Sequence, residues 1–358
     1  MKKVCFIVGN LNNSGGTERV TTLILNNLVE CSKYEISILS LVEGKKPFFD
    51  LNNNISVHSL YDQEISFKSN FLSVVWKIRK FIQENKIDTL VVVDSISCIF
   101  TVPALIFLNI NHICWEHFHF KNDNGTKFRV LGRKLAVKYC NHIVTLTRKD
   151  LEFWKNGLKK IKANLVSIPN PTPYINTCNK PSLNYKVVIS VGRLTHVKGY
   201  DLLIEAWKKV CDQNPDWKLY IVGSGEEKQN LEILATRLGI MDRIVFTGQT
   251  TDVRTFYEKS SIFCLSSRNE GLPMVLLEAQ AYGLPIVAFD CNTGPSEIVV
   301  NKKNGFLVSN GNIESLAYHL NEIINFEDEK YEKMVFESFL STQNFKIENI
   351  LDKWCSIL

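Results

Sequence analysis

The feature that most constrains the fold is an alternation of short, continuously apolar runs with longer segments of helical periodicity. In the first half, the predicted strands are 3–8, 35–41, 88–93, 111–114 and 142–146. In the second half, they are 186–191, 217–222, 243–247, 262–265, 285–289 and 306–308. Helical patterns lie between them, for example at 17–31, 71–85, 199–213, 227–239 and 313–325. Apolar strands that alternate with helices are typical of doubly wound parallel sheets, so we predict an α/β fold.

The alternation restarts after residues 171–185, a Pro- and Asn-rich segment with the composition of a linker. A chain of 358 residues is long enough for two domains, each with its own core. We therefore predict two Rossmann-like domains that face a cleft, the first at 1–178 and the second at 179–340. The amphipathic stretch 341–358 is predicted to be a helix that crosses back to the first domain.

The net charge of +5 conceals an asymmetry between the two halves. Residues 1–180 contain 24 lysines and arginines against 14 aspartates and glutamates, a net charge of +10. Residues 181–358 contain 18 against 23, a net charge of −5. Such an asymmetry indicates two domains with different partners. No stacking or recognition motif accompanies the basic charge, so nucleic acid is not an expected partner.

The cysteines and the apolar runs indicate the compartment. The ten cysteines contain no CxxC motif and no close pair, which is typical of reduced thiols in a cytoplasmic protein. The same spacing predicts no zinc site. The first apolar run ends after five residues, too early for a signal peptide. The longest apolar region, 89–110, contains Asp94 and Pro103, so we expect a buried strand and a buried helix there instead of a membrane span.

Ligands of open parallel sheets bind at the carboxyl ends of strands, so the loops at those ends are the candidate sites. The loop GNLNNSGGTERV follows the first strand, and Gly15 and Gly16 precede a helix that begins near Thr17. Two glycines and a helix start let the backbone approach a ligand closely. The loop does not match GxGxxG, so the dinucleotide fingerprint is missing. A mobile loop without a ligand is the alternative.

The first loop of the second half follows the strand 186–191. Gly192 makes the turn, and Arg193 and Lys198 follow it. Two cations in such a loop suit a diphosphate, and the alternative is two unrelated surface charges. Two later loops repeat the arrangement and are predicted to contact the nucleotide, with Gly223 and Gly225 in the first and Gln249 and Thr250 in the second.

The stretch EGLPMVLLE contains two carboxylates around an apolar run. Glu270 precedes a helix predicted from about 273 to 282, and Glu278 lies in its second turn. Glu278 is placed to accept hydrogen bonds from a ribose diol. The free N–H groups around Leu272 to Val275 are predicted to hold a phosphate, and the predicted donor-binding segment consists of Gly271, Leu272, Pro273, Met274 and Val275. The alternative is one capping carboxylate and one surface glutamate.

EGLPMVLLE resembles the E-x7-E motif of the retaining family 4 glycosyltransferases, which have the GT-B fold. The GG loop, GRLTHVKG, VGSG, the FTG loop, TGPSEI and NGFLV also occur in the order of that family. The resemblance extends over nearly the whole chain and is most specific at 187–308. It implies an acceptor-binding first domain and a donor-binding second domain. It also implies that Arg193 and Lys198 hold the donor diphosphate, that Glu270 contacts donor-sugar hydroxyls and that Glu278 contacts the ribose.

The segment CWEHFHF, residues 114–120, follows a strand of the first domain. The resemblance implies a histidine near the reacting sugar at such a position. We select His117 and keep His119 as its competitor, while a packed histidine among aromatic residues is the alternative. Glu116 either orients His117 or faces solvent. The predicted catalytic residues are therefore His117, Glu270, Arg193 and Lys198.

No DxD motif is present to hold a divalent cation. We therefore expect no metal and no cofactor besides the nucleotide sugar as co-substrate, with the leaving diphosphate stabilised by cations and a helix N-terminus. The resemblance implies retention of the anomeric configuration. The donor is expected to be a UDP-linked hexose or N-acetylhexosamine, namely Gal, Glc or GalNAc. A non-catalytic nucleotide-sugar binding protein of the same fold and a Rossmann-type dehydrogenase are the alternatives.

Two segments of the first domain, 67–82 and 127–139, are basic and amphipathic. Such helices bind anionic bilayers, although an ordinary crossover helix that covers the sheet has the same pattern. We expect a peripheral enzyme on the inner face of the cell membrane. Its acceptor would be an oligosaccharide or lipid-linked glycan for a capsule, lipopolysaccharide O-antigen or glycoprotein.

Overall fold

A computed structural model of the chain describes residues 1–123, 125–174, 177–250 and 252–358. The chain divides into two compact units, the first with residues 1–171 and 347–358 and the second with residues 172–346. Each unit contains one parallel β-sheet with helices packed against it. Residues 175–176 of the predicted linker, and residue 251 of the loop after the third strand of the second domain, lie outside the described residues.

The sheet of the first unit has seven parallel strands in the order β3-β2-β1-β4-β5-β6-β7. These strands are β1 (Lys2–Val8), β2 (Tyr34–Ser40), β3 (Ser56–Ser59), β4 (Thr89–Val93), β5 (Asn111–Trp115), β6 (His142–Thr145) and β7 (Asn164–Ser167). Its helices are α1 (Gly16–Leu28), α2 (Phe71–Asn85), α3 (Cys98–Leu105), α4 (Lys127–Tyr139) and α5 (Arg148–Gly157). The strand order reverses between β1 and β4, where ligands bind in doubly wound sheets.

The sheet of the second unit has six parallel strands in the order β10-β9-β8-β11-β12-β13. These strands are β8 (Val187–Val191), β9 (Lys218–Val222), β10 (Ile244–Gly248), β11 (Ile262–Leu265), β12 (Ile286–Asp290) and β13 (Gly305–Ser309). Its helices are α6 (Tyr200–Gln213), α7 (Lys228–Arg237), α8 (Arg254–Glu258), α9 (Met274–Ala281), α10 (Pro295–Ile298), α11 (Ile313–Ile324) and α12 (Asp328–Thr342). The order reverses between β8 and β11, so the loops after these strands are the expected ligand site.

The predicted alternation of strands and helices is confirmed. Two strands, β3 and β7, were not predicted from the sequence. Each has four residues, SVHS and NLVS, and neither is fully buried, because each lies at an edge of the sheet. A short edge strand lacks the continuous apolar run by which a central parallel strand is recognised.

The C-terminal stretch is not the single helix that its periodicity predicts. Helix α12 ends at Thr342, a 3₁₀ turn follows at Gln343–Phe345, and the last helix, α13, runs from Ile347 to Cys355. Trp354 of α13 packs its ring 4.9 Å from that of Trp115, centroid to centroid, and Thr89 Oγ1 donates to Leu358 O at 3.2 Å. The chain therefore returns to the first unit at 347, whereas 341–346 belong to the second unit.

The boundary between the units falls at 171/172 instead of 178/179. Thr172 N donates to Phe345 O at 2.8 Å, and Asn179 Nδ2 donates to Tyr282 O at 2.9 Å. Thr177 Oγ1 also donates to Ala281 O. These bonds attach the later part of the Pro- and Asn-rich segment to the second unit, which composition alone does not reveal.

The apolar region 89–110 forms β4, a short turn and α3, as expected. β4 is fully buried, and Cys98 and Ala104 of α3 lie in the core of the first unit. Of the helices in the described ranges, none combines the length and the apolarity that a membrane crossing requires.

Candidate functional site

The loops after β8 and β11 bring Lys198 and Glu270 together. Lys198 Nζ lies 2.7 Å from Glu270 Oε1, and the Glu270 side chain is only 9% exposed. Gly199, at φ +64°, follows Lys198, and a Cβ atom on it would lie 2.1 Å from Ser266 O. The two loops therefore touch at the backbone, because only glycine permits both this conformation and this approach.

Further bonds hold the two loops against each other. Ser266 Oγ donates to Lys198 O at 3.0 Å, and Arg268 N donates to Val197 O at 2.8 Å. The Arg268 guanidinium forms a bidentate pair with the Asp201 carboxylate, in which Nη1 donates to Oδ1 at 2.7 Å and Nη2 to Oδ2 at 2.6 Å. Burial opposes ionisation of Asp201, but the hydrogen bond and charge of Arg268 outweigh it and lower the pKa of that carboxyl. These supporting residues carry no recognisable motif, so sequence reasoning missed them.

Arg193 is not part of this arrangement. Its side chain is 77% exposed, and its guanidinium lies 3.7 Å from Glu226 Oε2. A surface ion pair of this length contributes little stability, so the side chain is free to change partner. The structure thus pairs one of the two predicted diphosphate cations with Glu270 and leaves the other at the surface.

Helix α9 starts beside Glu270. Its first helical residue is Met274, and Pro273 is the N-cap residue instead of lying inside the helix. Because proline has no polar side-chain atom, it offers no side-chain cap to the first N–H groups, of which that of Leu276 donates to Pro273 O at 3.1 Å. Those groups carry the positive end of the helix dipole, which suits an anion such as phosphate.

The turn at Thr293–Gly294 supports the loop before α9. Thr293 Oγ1 donates to Glu270 O at 2.6 Å. Gly294 has φ +96°, and a Cβ atom on it would lie 2.6 Å from Gly271 O. Leu272 is buried here, and so are most residues of α9, while Val275 is half-buried. The Thr293–Gly294 turn thus packs against the backbone that precedes α9 and holds it in place.

Glu278 is buried, so the interpretation as a surface glutamate is wrong. Its Oε2 accepts a hydrogen bond of 2.8 Å from the hydroxyl of Tyr257 on α8. Tyr257 is itself buried and stacks on Phe263 and Tyr282, with centroids 6.1 and 5.3 Å apart. The phenol therefore fixes the carboxylate, a support that the sequence did not indicate because Tyr257 lies 21 residues before Glu278.

The glycines of the next loops pack against other backbone segments. A Cβ atom on Gly223, at φ +143°, would lie 2.0 Å from Gly192 O, and one on Gly225 would lie 2.3 Å from Leu194 O. Gly192 N donates to Val222 O at 3.0 Å. Close packing of these loops therefore explains why glycine is required at positions 223 and 225. Further along the chain, Gln249 is exposed and Thr250 Oγ1 accepts from Asp252 N at 3.1 Å.

In the first unit, Gly15 is the N-cap residue of α1 in an extended conformation. A Cβ atom on it would lie 2.3 Å from Glu18 Oε2, whereas a Cβ atom on Gly16 would meet only open space. Burial raises the pKa of the Glu18 carboxyl, and hydrogen bonds from the backbone of Glu18 and Gly15 oppose this rise. At this helix start, which we predicted to be open to a ligand, the Glu18 carboxylate therefore lies beside Gly15.

Neither interpretation of Glu116 is correct, because it is buried in an ion cluster. Its Oε2 accepts from Ser95 Oγ at 2.5 Å and from Arg133 Nε at 3.0 Å. Its Oε1 accepts from Phe118 N at 3.1 Å and from Arg129 Nη1 at 3.3 Å. A buried carboxylate with four donors neither faces solvent nor needs a histidine partner.

Arg129 and Arg133 lie one turn apart on α4 and are both buried. Arg133 donates to the carbonyl oxygens of His119 at 3.1 Å and Asn122 at 2.9 Å, and so shapes the segment after β5. Arg129 Nη1 lies 2.5 Å from Asp94 Oδ1. Burial, followed by the charge of Glu116, raises the pKa of Asp94 to about 6, against the opposing effect of Arg129.

His117 lies directly after this cluster and is nearly buried. Its ring centroid is 4.4 Å from that of Trp115, and its Nε2 atom has no hydrogen-bond partner among the residues that the structure describes. Burial, with a smaller contribution from Arg129, lowers the pKa of His117 to about 3. The imidazole is therefore neutral near pH 7. His119 is also buried, 6.4 Å from the ring of Phe153.

Two family models match the chain. Residues 14–173 match Glycosyltransferase Family 4, and residues 178–337 match Glycosyl transferases group 1. The two matches together cover most of both units.

Among curated proteins, an uncharacterized glycosyltransferase of Haemophilus influenzae is 41% identical over the full length of both chains. The amylovoran biosynthesis glycosyltransferase AmsD of Erwinia amylovora is 28% identical, again over the full length of both. A Campylobacter jejuni enzyme is 27% identical over 100% of this chain and 98% of its own. It is named as an α-1,4-N-acetyl-D-galactosaminyltransferase that acts on GalNAc-α-(1→4)-GalNAc-α-(1→3)-diNAcBac-PP-undecaprenol.

The fold is shared with a solved structure, Alr3699/HepE of Anabaena in complex with UDP. That chain is 19% identical, and 99% of each chain superposes with a TM-score of 0.80. From the two family matches and the relative of 41% identity, the chain belongs to the family 4 glycosyltransferases, and its two parallel-sheet units form the GT-B fold.

Proposed function

We propose that this protein is a retaining glycosyltransferase that assembles surface polysaccharide or glycoprotein glycans. It moves a hexose or N-acetylhexosamine, namely Gal, Glc or GalNAc, from a UDP-linked donor to a lipid-linked glycan acceptor. The observation that carries this proposal is the pair of Lys198 and Glu270 beside the uncapped N-terminus of α9. A cation, an anion-binding helix start and a carboxylate are the groups that a diphosphate joined to a sugar requires.

Each group has a task in the transfer. The bond from the anomeric carbon to the diphosphate oxygen breaks, and Lys198, Arg193 and the N–H groups at the start of α9 stabilise the charge that develops on that oxygen. The acceptor hydroxyl bonds to the same face of the anomeric carbon and passes its proton to the departing phosphate, which retains the configuration. Glu270, released by Lys198, holds donor-sugar hydroxyls. These cations replace a metal, in keeping with the missing DxD motif.

Two further residues, one in each unit, have proposed roles in the reaction. Glu278, held by the Tyr257 hydroxyl, accepts hydrogen bonds from the ribose diol. His117 offers the unpaired Nε2 of a neutral imidazole to a hydroxyl of the reacting sugar. UDP as the nucleotide is supported by the UDP complex of the Anabaena protein, and a lipid-linked acceptor by the name of the Campylobacter relative.

A thermal-shift panel with EDTA tests the donor. We expect UDP and one UDP-sugar to raise the melting temperature, because a ligand that binds only the folded chain stabilises it. GDP, ADP and NAD(P)H are the competing ligands. The shift should be lost in Glu278→Gln and kept in Glu314→Gln, a matched change at an exposed glutamate of the same unit. A shift with NAD(P)H alone, or with no nucleotide, would contradict the proposal.

Transfer itself is tested with the same protein. With the identified UDP-sugar and an undecaprenyl-diphosphate glycan, we expect release of UDP in the presence of EDTA, and NMR of the product should show the anomeric configuration of the donor. Binding without transfer to any glycan would instead favour a non-catalytic nucleotide-sugar binding protein. An inverted product, or activity that requires a divalent cation, would contradict retention or metal independence.

We further propose that the exposed faces of α2 and α4 contact an anionic membrane, although less of their charge is available than the sequence suggests. Arg129 and Arg133 are buried, and Lys77 Nζ donates to Leu60 O at 3.2 Å. Most of the exposed side chains on and just before these helices are apolar or basic, namely Leu72, Trp76, Phe128, Leu131, Lys68, Lys80, Lys127, Lys134 and Lys138. Glu84 of α2 is exposed as well and lies 3.7 Å from Lys80 Nζ. Leu72 is 79% exposed and Trp76 59%. Such a surface inserts apolar side chains while lysines attract acidic headgroups.

Liposome flotation tests this surface. The protein should float with vesicles that contain phosphatidylglycerol, less so at high salt, and not with purely zwitterionic vesicles. Trp76→Ser/Phe128→Ser should abolish flotation. Tyr318→Ser/Phe336→Ser, which removes two equally exposed aromatic residues of the second unit, should have no effect. The same loss in both double variants would overturn the assignment to α2 and α4.

A further inference from the structure

A group of sulfur and nitrogen atoms lies in the core of the first unit, and the proposed reaction uses none of the residues that supply them. Cys98, His112 and Cys140 are all buried, and their potential ligand atoms lie within 4.8 Å of one another. Cys98 is the first residue of α3, His112 lies in β5, and Cys140 is the C-cap residue of α4. We propose that these three residues form a structural zinc site.

The distances fit tetrahedral coordination with little adjustment. With Zn–S near 2.3 Å and Zn–N near 2.05 Å, ligand atoms of a tetrahedral site lie about 3.6 Å apart for sulfur and nitrogen and about 3.8 Å for two sulfurs. Cys140 Sγ and His112 Nδ1 are 3.5 Å apart. The remaining separations, within 4.8 Å, close by small side-chain movements.

The histidine is oriented as metal-binding histidines are. His112 Nε2 lies 3.1 Å from Thr101 Oγ1, a buried hydroxyl on α3. Donation from Nε2–H to this oxygen leaves Nδ1 unprotonated and directed at Cys140. A second hydrogen bond that fixes the tautomer and ring in this way accompanies most histidine ligands of zinc.

The charges also balance. Zinc binding displaces the thiol protons of Cys98 and Cys140 as two H⁺, and the two thiolates neutralise the dication while the imidazole stays neutral. Cys114, two residues after His112 on β5, does not belong to the group whose ligand atoms lie within 4.8 Å of one another, so the chain supplies three ligands to the proposed site. Borderline-soft zinc prefers such sulfur and nitrogen ligands over the hard cations that favour oxygen.

The site would link β5 to both helices that cover it. α3 and α4 pack on each other, and the ion cluster of Glu116 lies further along the same face of β5. Zinc bound to His112 would thus hold β5, the strand that ends two residues before His117, against α3 and α4. Because the site is buried, we expect the metal to enter during folding and to exchange slowly.

The test measures metal in protein purified from zinc-supplemented cells. Surface thiols are first removed by Cys31→Ser/Cys178→Ser/Cys355→Ser, since these cysteines are exposed or half-exposed and bind metal adventitiously. Mass spectrometry of the elements should then show about one zinc per chain. Protein from cells grown with cobalt instead should show thiolate-to-cobalt charge transfer in the near ultraviolet and tetrahedral d–d bands.

Two matched variants separate the site from the general effect of a core change. Cys140→Ala should reduce zinc at least tenfold and remove the cobalt bands. Cys5→Ala, the same change at another buried cysteine of the same core, should leave both unchanged. Absence of zinc and of cobalt bands in the surface-thiol variant would overturn the proposal, and so would full zinc content in Cys140→Ala. If Cys140→Ala fails to fold, the cobalt spectrum of the surface-thiol variant tests the proposal alone: the charge-transfer and tetrahedral d–d bands support it, and their absence overturns it.

Discussion

Lys198 and Glu270 lie 72 positions apart in the sequence, and their side chains meet at 2.7 Å in a part of the second unit where the carboxylate is almost entirely buried. Each side chain holds the other in a defined position. In the proposed function, a nucleotide sugar that takes the lysine for its phosphates would free the carboxylate for the sugar. We therefore expect the pair to couple donor binding to the placement of the sugar.

We expect Glu270→Gln to lower the transfer rate by roughly 10²–10³-fold, the size of effect seen when an enzyme loses one preorganised contact to its transition state. UDP affinity should change much less, because the glutamate is proposed to contact the sugar and not the nucleotide. Initial rates at saturating donor and calorimetry with UDP measure the two effects. Asp216→Asn, which breaks the exposed pair of Lys186 and Asp216, should leave both values unchanged. An unaltered transfer rate in Glu270→Gln would exclude the proposed role.

Tyr257→Phe should weaken UDP binding by about tenfold. The change removes one hydrogen bond to the Glu278 carboxylate, and hydrogen bonds to charged groups contribute about 1.5–3 kcal/mol. The matched control is Tyr331→Phe, which removes a buried hydroxyl that donates to Ser261 O at 2.7 Å in the same unit. This control should lower the melting temperature without affecting UDP affinity. Equal affinities for wild type and Tyr257→Phe would show that Glu278 needs no such support.

Arg133→Met should destabilise the protein by about 3–5 kcal/mol, because it leaves the buried Glu116 with one of its two cations removed. Lys134→Met changes the neighbouring, exposed residue of the same helix and should alter stability by less than about 0.5 kcal/mol. Denaturant titration of both variants measures the difference. Similar small effects would mean that the α4 arginines do not hold the segment after β5.

The stability of the protein should depend on pH through His117. Burial lowers the folded-state pKa of His117 to about 3, below the unfolded value near 6.5. Between these values the unfolded chain binds the extra proton, so the contribution of His117 to stability falls as the pH drops below 6.5. Relative to His117→Gln, we expect wild type to lose about 2 kcal/mol between pH 7.5 and pH 5, measured by urea titration. A pH-independent difference would show that the imidazole titrates normally.

Several features of the protein follow from its sequence because they depend on local periodicity. Continuous apolar runs such as that of β4 specify buried parallel strands, and the restart of the alternation after residues 171–185 specifies a second sheet. The edge strands β3 and β7 escape this reasoning, since half-exposed strands of four residues have no distinctive pattern. Motif spacing likewise selected Lys198 and Glu270, whose loops follow strands of one sheet, and Glu278 on the helix after the second of these loops.

Other features depend on pairings between distant residues, which a single sequence does not display. The lysines and arginines of α4 look equivalent in a helical pattern, yet Arg129 and Arg133 are buried against Glu116 while Lys134 is exposed. Cysteine spacing predicted no metal site, because positions 98, 112 and 140 come together only when a strand and two helices pack.

The sequence by itself therefore determined most of the secondary structure, the presence of two sheets and the family, because periodicity and short motifs are local properties. Only the tertiary structure decided which charges are paired and which are free. It paired Lys198 with Glu270 and left Arg193 at the surface. The physical reason is that burial and proximity set the energy of a charge or a polar atom, and both arise from contacts between segments that the chain order keeps apart.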